Sequence, residues 1–250
     1  MREVRRLPDA EGVSVAAADE FVSLARQAVD RHGRFRVALS GGSTPRRLYE
    51  LLADGHRRSQ VEWDRVEFFW GDERAVPPDH PESNYGMAAA VLLDRLAVPA
   101  GQVHRIRGEA PDLEHAARDY HLEIARAFDV PPEGPPPAFD LIFLGMGPDG
   151  HTASLFPYSE GLPERRRWVV SHFVARVDAR RITLTPPTLN RAREIRLLVV
   201  GADKAPTLHE VLEGPRDPER LPAQLVAPES GRLVWLVDEA AAAELQDTGA

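Results

Sequence analysis

The sequence contains no cysteine. That excludes a disulfide framework, a thiolate nucleophile and any cysteine-ligated metal. Lysine is almost as scarce: Lys204 stands alone, and the remaining cations are arginines and histidines. An arginine bias belongs to genome composition before it belongs to function, yet it singles Lys204 out. No apolar run approaches membrane-spanning length, and Met1-Arg2-Glu3-Val4-Arg5-Arg6 leads into no apolar stretch of signal-peptide length. A positive surplus is missing too. The net charge of -8 argues against general nucleic-acid binding and against a polybasic membrane surface. The expectation is a cytoplasmic protein with a small-molecule partner, no nucleic acid and no membrane, acting as a monomer or at most a weak dimer. An anionic ligand would have to be held by cations collected locally, against the overall field.

What is present is an ordinary core-forming composition, 43% hydrophobic and 28% charged over 250 residues. Apolar positions at helical spacing over 14–32 stop at Gly33. Strands are expected at 35–39, 66–70, 103–106, 141–144, 168–173, 181–185, 195–200 and 233–237. Helices are expected after Pro45, over 84–96 and 113–128, from Pro186, over 202–212, and as a short alanine-rich element at the end. The proline-dense stretch 131–137 reads as a surface loop, since the strand–helix alternation resumes beyond it. Repeated strand-then-helix units imply an α/β protein, with a mainly parallel sheet covered by helices on both faces and all 250 residues in one domain.

The chain is organised around Phe139 to Pro157. Leu141 to Leu144 reads as a strand buried on both faces. Glycines and a proline then force a turn that delivers Asp149 and His151 to its carboxyl end, where open α/β sheets bind ligands. An imidazole tethered beside a carboxylate in a glycine turn is a candidate base. The same turn, Gly145-Met146-Gly147-Pro148-Asp149-Gly150, matches the dinucleotide pattern G-x-G-x-x-G. That fingerprint needs an acidic residue at the end of the next strand, and here that strand ends near Ser171-His172-Phe173. Nucleotide binding is discounted.

Two more strand ends and the lysine complete the set. Ser40-Gly41-Gly42-Ser43-Thr44-Pro45 offers glycines, hydroxyls and a helix N-terminus that favour a phosphate, although any strand-to-helix turn uses glycine and a hydroxyl cap. It is not a Walker loop, lacking the Gly-Lys-Ser/Thr ending. Gly71-Asp72-Glu73-Arg74 is either a solvated turn or a charge pair orienting a ligand. Lys204, at a helix start, opposes the helix dipole unless an anion binds there.

In chain order, Ser40 to Pro45, Trp70 to Arg74, Ser83-Asn84-Tyr85-Gly86-Met87, Gly145 to Pro157, Arg181-Ile182-Thr183-Leu184-Thr185 and Gly201 to Lys204 resemble the glucosamine-6-phosphate isomerase/6-phosphogluconolactonase family. The run from Asp149 to Pro157 is the most specific. The resemblance implies a modified Rossmann-like fold of the NagB/RpiA/CoA transferase-like kind. It implies hydrolysis of 6-phospho-D-glucono-1,5-lactone to 6-phosphogluconate in the pentose phosphate pathway, without a cofactor or metal. It further implies His151 as general base, Asp149 and Asp72 as its polar neighbours, Arg74 as a substrate-binding cation, and Gly41, Gly42, Ser43, Thr44, Arg181 and Lys204 around the phosphate.

In the deaminase branch of that family a glutamate follows the motif histidine by five residues, where this sequence has Phe156. That disfavours ring opening and enolisation. A sugar-phosphate sensor domain would carry an N-terminal DNA-binding helix pair, for which residues 1–33, read as one strand and one helix, leave too little chain.

Overall fold

The structure is a computed structural model that describes residues 2–246. A parallel sheet runs in the order β1-β9-β8-β5-β2-β3. Its strands are β1 (Arg2–Leu7), β2 (Phe35–Leu39), β3 (Val66–Trp70), β5 (Leu141–Gly145), β8 (Glu194–Val199) and β9 (Arg232–Asp238). A smaller antiparallel sheet pairs β4 (Asp72–Arg74) with β7 (Ala179–Leu184), and β7 with β6 (Val169–Val174).

Successive side chains on a strand point to opposite faces, and β3 makes both faces visible. Phe68 stacks on Trp63, which stacks on Phe21 of α1 (Ala10–His32). Its neighbour Phe69 meets Phe128, the last residue of the helix Leu113–Phe128. Helices therefore cover both faces, as expected of a parallel sheet. The aliphatic and aromatic residues of β5 and β8 are buried, with one exception of charge: Arg196 is 1% exposed and pairs with Glu20 of α1 and Glu194.

Two tyrosines fix where strands give way to loops. Tyr49, on α2 (Ser43–Ala53), accepts the Ser40 N–H at 3.0 Å and donates to the Ser40 carbonyl at 2.9 Å. Tyr120 does the same for Trp70, at 2.8 and 3.0 Å. Each hydroxyl satisfies a buried donor and acceptor where the ladder stops, and burial pushes both phenols far above their usual titration range.

Several local expectations need correction. Asp72–Arg74 is a strand, not a turn, because Asp72, Glu73 and Arg74 pair with Thr183, Ile182 and Arg181. Residues 103–106 form no strand: a single bridge joins Val103 to Phe68 before the chain departs. The alanine-rich stretch after β9 makes turns, being too short to propagate a helix. The helix over 84–96 contains a π-helical turn at Ala89–Leu93. The proline-dense loop is less superficial than expected, with Pro136 and Pro137 buried and its Gly134 carbonyl accepting from the Trp168 indole.

Candidate active site

Strand order reverses between β2 and β5. From β2 the chain moves outward to β3, while from β5 it moves the other way through β8 to β9. Such a switch point opens a crevice at the strand carboxyl ends. A cavity of about 330 Å³ lies there, lined by Ser40 to Pro45 after β2, Gly145 to Gly147 and His151 after β5, and Lys204 after β8, with Asp72, Arg74 and Asn84 closing it from the small sheet's side.

The loop after β2 presents backbone. Gly42, at φ 108°, occupies the left-handed region and is the N-cap of α2, with no side chain bonded to the helix's first amides. Those amides are open to an anion, and the helix dipole favours one. Gly41 leaves room for a neighbour: a Cβ there would lie 1.8 Å from Asn84 Oδ1. Asn84 in turn donates to the Asp72 carbonyl at 2.9 Å.

The turn after β5 presents side chains. Gly150, at φ 78°, lets the chain double back, and Gly147 N–H donates to the His151 carbonyl at 2.9 Å. Asp149 Oδ1 lies 2.5 Å from His151 Nδ1, and its Oδ2 lies 2.9 Å from Arg176 Nε. Burial works to raise the Asp149 carboxyl, but the hydrogen bonds and charge of His151, with the charge of Arg176, outweigh it and hold the group below the usual range. An ionised Asp149 can only accept, so Nδ1 carries the proton and Nε2 is left as the ring's acceptor. Phe156 stacks on the imidazole at 4.0 Å with the rings 16° apart. No helix comes between this turn and β6, so the glycine pattern lacks the helix N-terminus on which a dinucleotide's pyrophosphate would sit.

Asp72 faces the same cavity and is 8% exposed. Ser154 Oγ donates to its Oδ2 at 2.6 Å. Its neighbour Glu73 points away into protein. The Glu73 carboxylate accepts from the backbone N–H of Asn84 and Tyr85, both at 2.8 Å, and of Arg74 at 2.9 Å, while burial raises its pKa. Lys204 is held by Asp203, Nζ to Oδ2 at 2.6 Å, and Asp238 at the end of β9 accepts the Gly201 N–H at 3.0 Å to anchor that loop.

The structure thus brings Gly41, Gly42, Ser43, Thr44, Asp72, Arg74, His151 and Lys204 to one cavity, with Asp149 behind His151. Arg181 is not in the lining; it sits opposite Arg74 in the antiparallel pair, and burial and the Arg74 charge lower its pKa. Asn84 and Ser154 were given no role from sequence, although both lie within recognisable motifs. Arg176 carries no sequence signal, being one arginine of many in a hairpin tip. Among the described residues no group of three or more His, Asp or Glu side chains is placed to hold a metal ion.

Comparison with known proteins agrees with this fold and gives the family. Residues 8–235 match the family described as glucosamine-6-phosphate isomerases/6-phosphogluconolactonase. The chain is 40% identical over 249 residues to a 6-phosphogluconolactonase of Nostoc sp., covering 98% of both chains. It is 37% identical over 243 residues to that of Mycobacterium tuberculosis, covering 95% of this chain and 96% of the other. The solved structure of 6-phosphogluconolactonase from Trypanosoma cruzi superposes with a TM-score of 0.87 at 30% identity, over 98% of this chain and 97% of that one.

Proposed function

The chain belongs to the glucosamine-6-phosphate isomerase/6-phosphogluconolactonase family, and from that premise we propose that it hydrolyses 6-phospho-D-glucono-1,5-lactone to 6-phospho-D-gluconate. Its likeness to lactonases over nearly its whole length supports a hydrolase of carbohydrate metabolism. The observation that carries the finer reading is one cavity holding an oriented imidazole, an anion-ready helix start and the lone lysine.

A δ-lactone is an activated ester, so no covalent nucleophile is required. The substrate's phosphate is held by the amides of Gly41 to Thr44, at the N-terminus of α2, and by Lys204. His151 Nε2 takes a proton from water as the water oxygen bonds to C1. As the tetrahedral intermediate collapses, the C1–ring oxygen bond breaks and the imidazolium returns the proton to that oxygen. Arg74 is the cation available to the developing oxyanion. Phe156 stacks on His151 where the deaminase branch has its glutamate, so the ring lacks the second carboxylate that the sister reaction uses.

The test is a coupled assay with fresh 6-phosphogluconolactone and NADP-linked 6-phosphogluconate dehydrogenase. The His151→Ala variant is expected to lose roughly 10²–10⁴-fold of the rate above spontaneous hydrolysis, the usual worth of a positioned base, with KM little changed. Equal rates for variant and parent would remove the base assignment. A parent no faster than spontaneous hydrolysis, or one releasing ammonia from glucosamine 6-phosphate instead, would remove the lactonase reading.

A further inference from the structure

Resting on that reading, we infer that Arg176 is a positioning residue for the catalytic pair, fixing the Asp149 carboxylate from a separate sheet and balancing its charge behind His151. Arg176 lies in the turn Ala175–Val177 that joins β6 to β7. The hairpin register runs to Val174 opposite Ala179, and Asp178 turns the chain at φ 45°. From that tip the guanidinium reaches a carboxylate belonging to the loop after β5.

The division of Asp149 between its partners is the informative feature. Oδ1 serves His151, bonding ring Nδ1 at 2.5 Å and the backbone N–H at 3.2 Å. Oδ2 serves Arg176 at 2.9 Å. The Asp149 side chain is 8% exposed whereas that of Arg176 is 63% exposed. A pair with one partner so open to water adds little to stability. Its consequence is local. The guanidinium, always charged, faces Oδ2 as an ion pair, which favours the carboxylate orientation that leaves Oδ1 aimed at the imidazole.

The charges around His151 set the sign of the expected effect. Asp149 and Arg176 lie behind the ring, Asp72, Arg74 and Lys204 share its cavity, and Asp203 pairs with Lys204. Deleting the Arg176 charge alone leaves Asp149 uncompensated and favours the imidazolium. Less of the base form then remains at a given pH.

The experiment compares Arg176→Ala and Arg176→Lys with the parent. For Arg176→Ala, kcat is expected to fall about 3- to 10-fold through loss of orientation, while KM stays put. The acidic limb of the kcat/KM profile moves upward by about 0.3–1 pH unit, the scale of one partly screened charge nearby. Arg176→Lys keeps the charge and should return that limb to the parental position while recovering only part of kcat. Thermal stability should be unchanged in both. An NMR titration of the His151 ring, which needs no substrate, should move in the same direction and reads the inference even if the lactonase reading fails. Parental kcat and an unmoved titration in Arg176→Ala would overturn it. So would a raised KM with kcat and pH profile intact, which would make Arg176 a substrate contact instead.

Discussion

The turns after β2 and β5 sit side by side at the switch point, and both are rich in glycine, yet they are built for opposite purposes. The Ser40 to Pro45 turn runs straight into α2 and exposes backbone amides at a helix start. The Gly145 to His151 turn enters no helix and instead folds back on itself, so that it exposes an imidazole and hides the carboxylate that orients it. Glycine makes space in each. At Gly41 the space is filled by Asn84, which donates to the Asp72 carbonyl; at Gly147 it is filled by the His151 ring itself. Glycine content alone therefore does not distinguish a turn that grips an anion from one that places a base. The presence or absence of a helix directly after the turn does.

The sharpest way to break this comparison is a single methyl group. A Cβ on Gly147 would lie 2.1 Å from His151 Nδ1 and Cε1 and 2.8 Å from Asp149 Oδ1. The ring must then shift. Because a displacement of about 1 Å in a catalytic group costs on the order of 100-fold, Gly147→Ala is expected to lower kcat by that much while leaving KM near the parental value. A KM defect of similar size, measured in the coupled assay, would mean that the two turns are not divided between binding and chemistry.

The complementary change acts on the binding side. Lys204→Ala removes a charge-assisted contact to phosphate of about 1.5–3 kcal/mol, or roughly 10- to 100-fold. KM for the phosphorylated lactone should rise by that factor, with kcat held. KM for unphosphorylated gluconolactone should barely move. Equal effects on both substrates would detach Lys204 from the phosphate.

The same contrast explains what could be read from the sequence. The inner parallel strands were legible because burial on both faces leaves apolar runs, as in Leu141 to Leu144; the edge strand β1, Arg2–Leu7, has no such run. The helix Leu113–Phe128 was legible to the residue; the structure adds its cap, Asp112, whose side chain accepts the His115 N–H. β4 was not, because Asp72, Glu73 and Arg74 have no strand-like composition; their pairing with β7 is set by residues over a hundred positions away. Nor could Glu73 be separated from Asp72 by type. One carboxylate faces the cavity and the other secures the start of the helix Asn84–Ala88, a difference decided by strand alternation once β4 exists. Most of the cavity's motif residues were visible, but Arg181 falls outside the lining and Asn84 and Ser154 were given no role; Arg176 was not visible at all, since its role depends on where a hairpin tip lands.

The smallest expected effect lies deeper in the small sheet. His172 is 2% exposed, and its Nε2 lies 2.8 Å from the Ser154 carbonyl, so that nitrogen must carry the proton. Nδ1 is buried without a hydrogen-bond partner among the described residues. Burial lowers the His172 pKa from the usual 6.5, outweighing the opposing pull of Ser154 and Glu160. Protonation would place a second N–H where no acceptor waits. Linkage gives the sign: the unfolded chain takes up this proton first as pH falls, so stability declines from about pH 6.5 down to the lower folded value, and is unaffected above that window. His172→Gln retains a donor for the Ser154 carbonyl and removes the titration. The melting temperature of the variant should therefore fall less steeply than the parent's between roughly pH 6.5 and 5. Because Ser154 also donates to Asp72, kcat should respond to the same acidification less in the variant than in the parent. Parallel melting curves across that range would mean that the buried ring is neutral for reasons unconnected with folding.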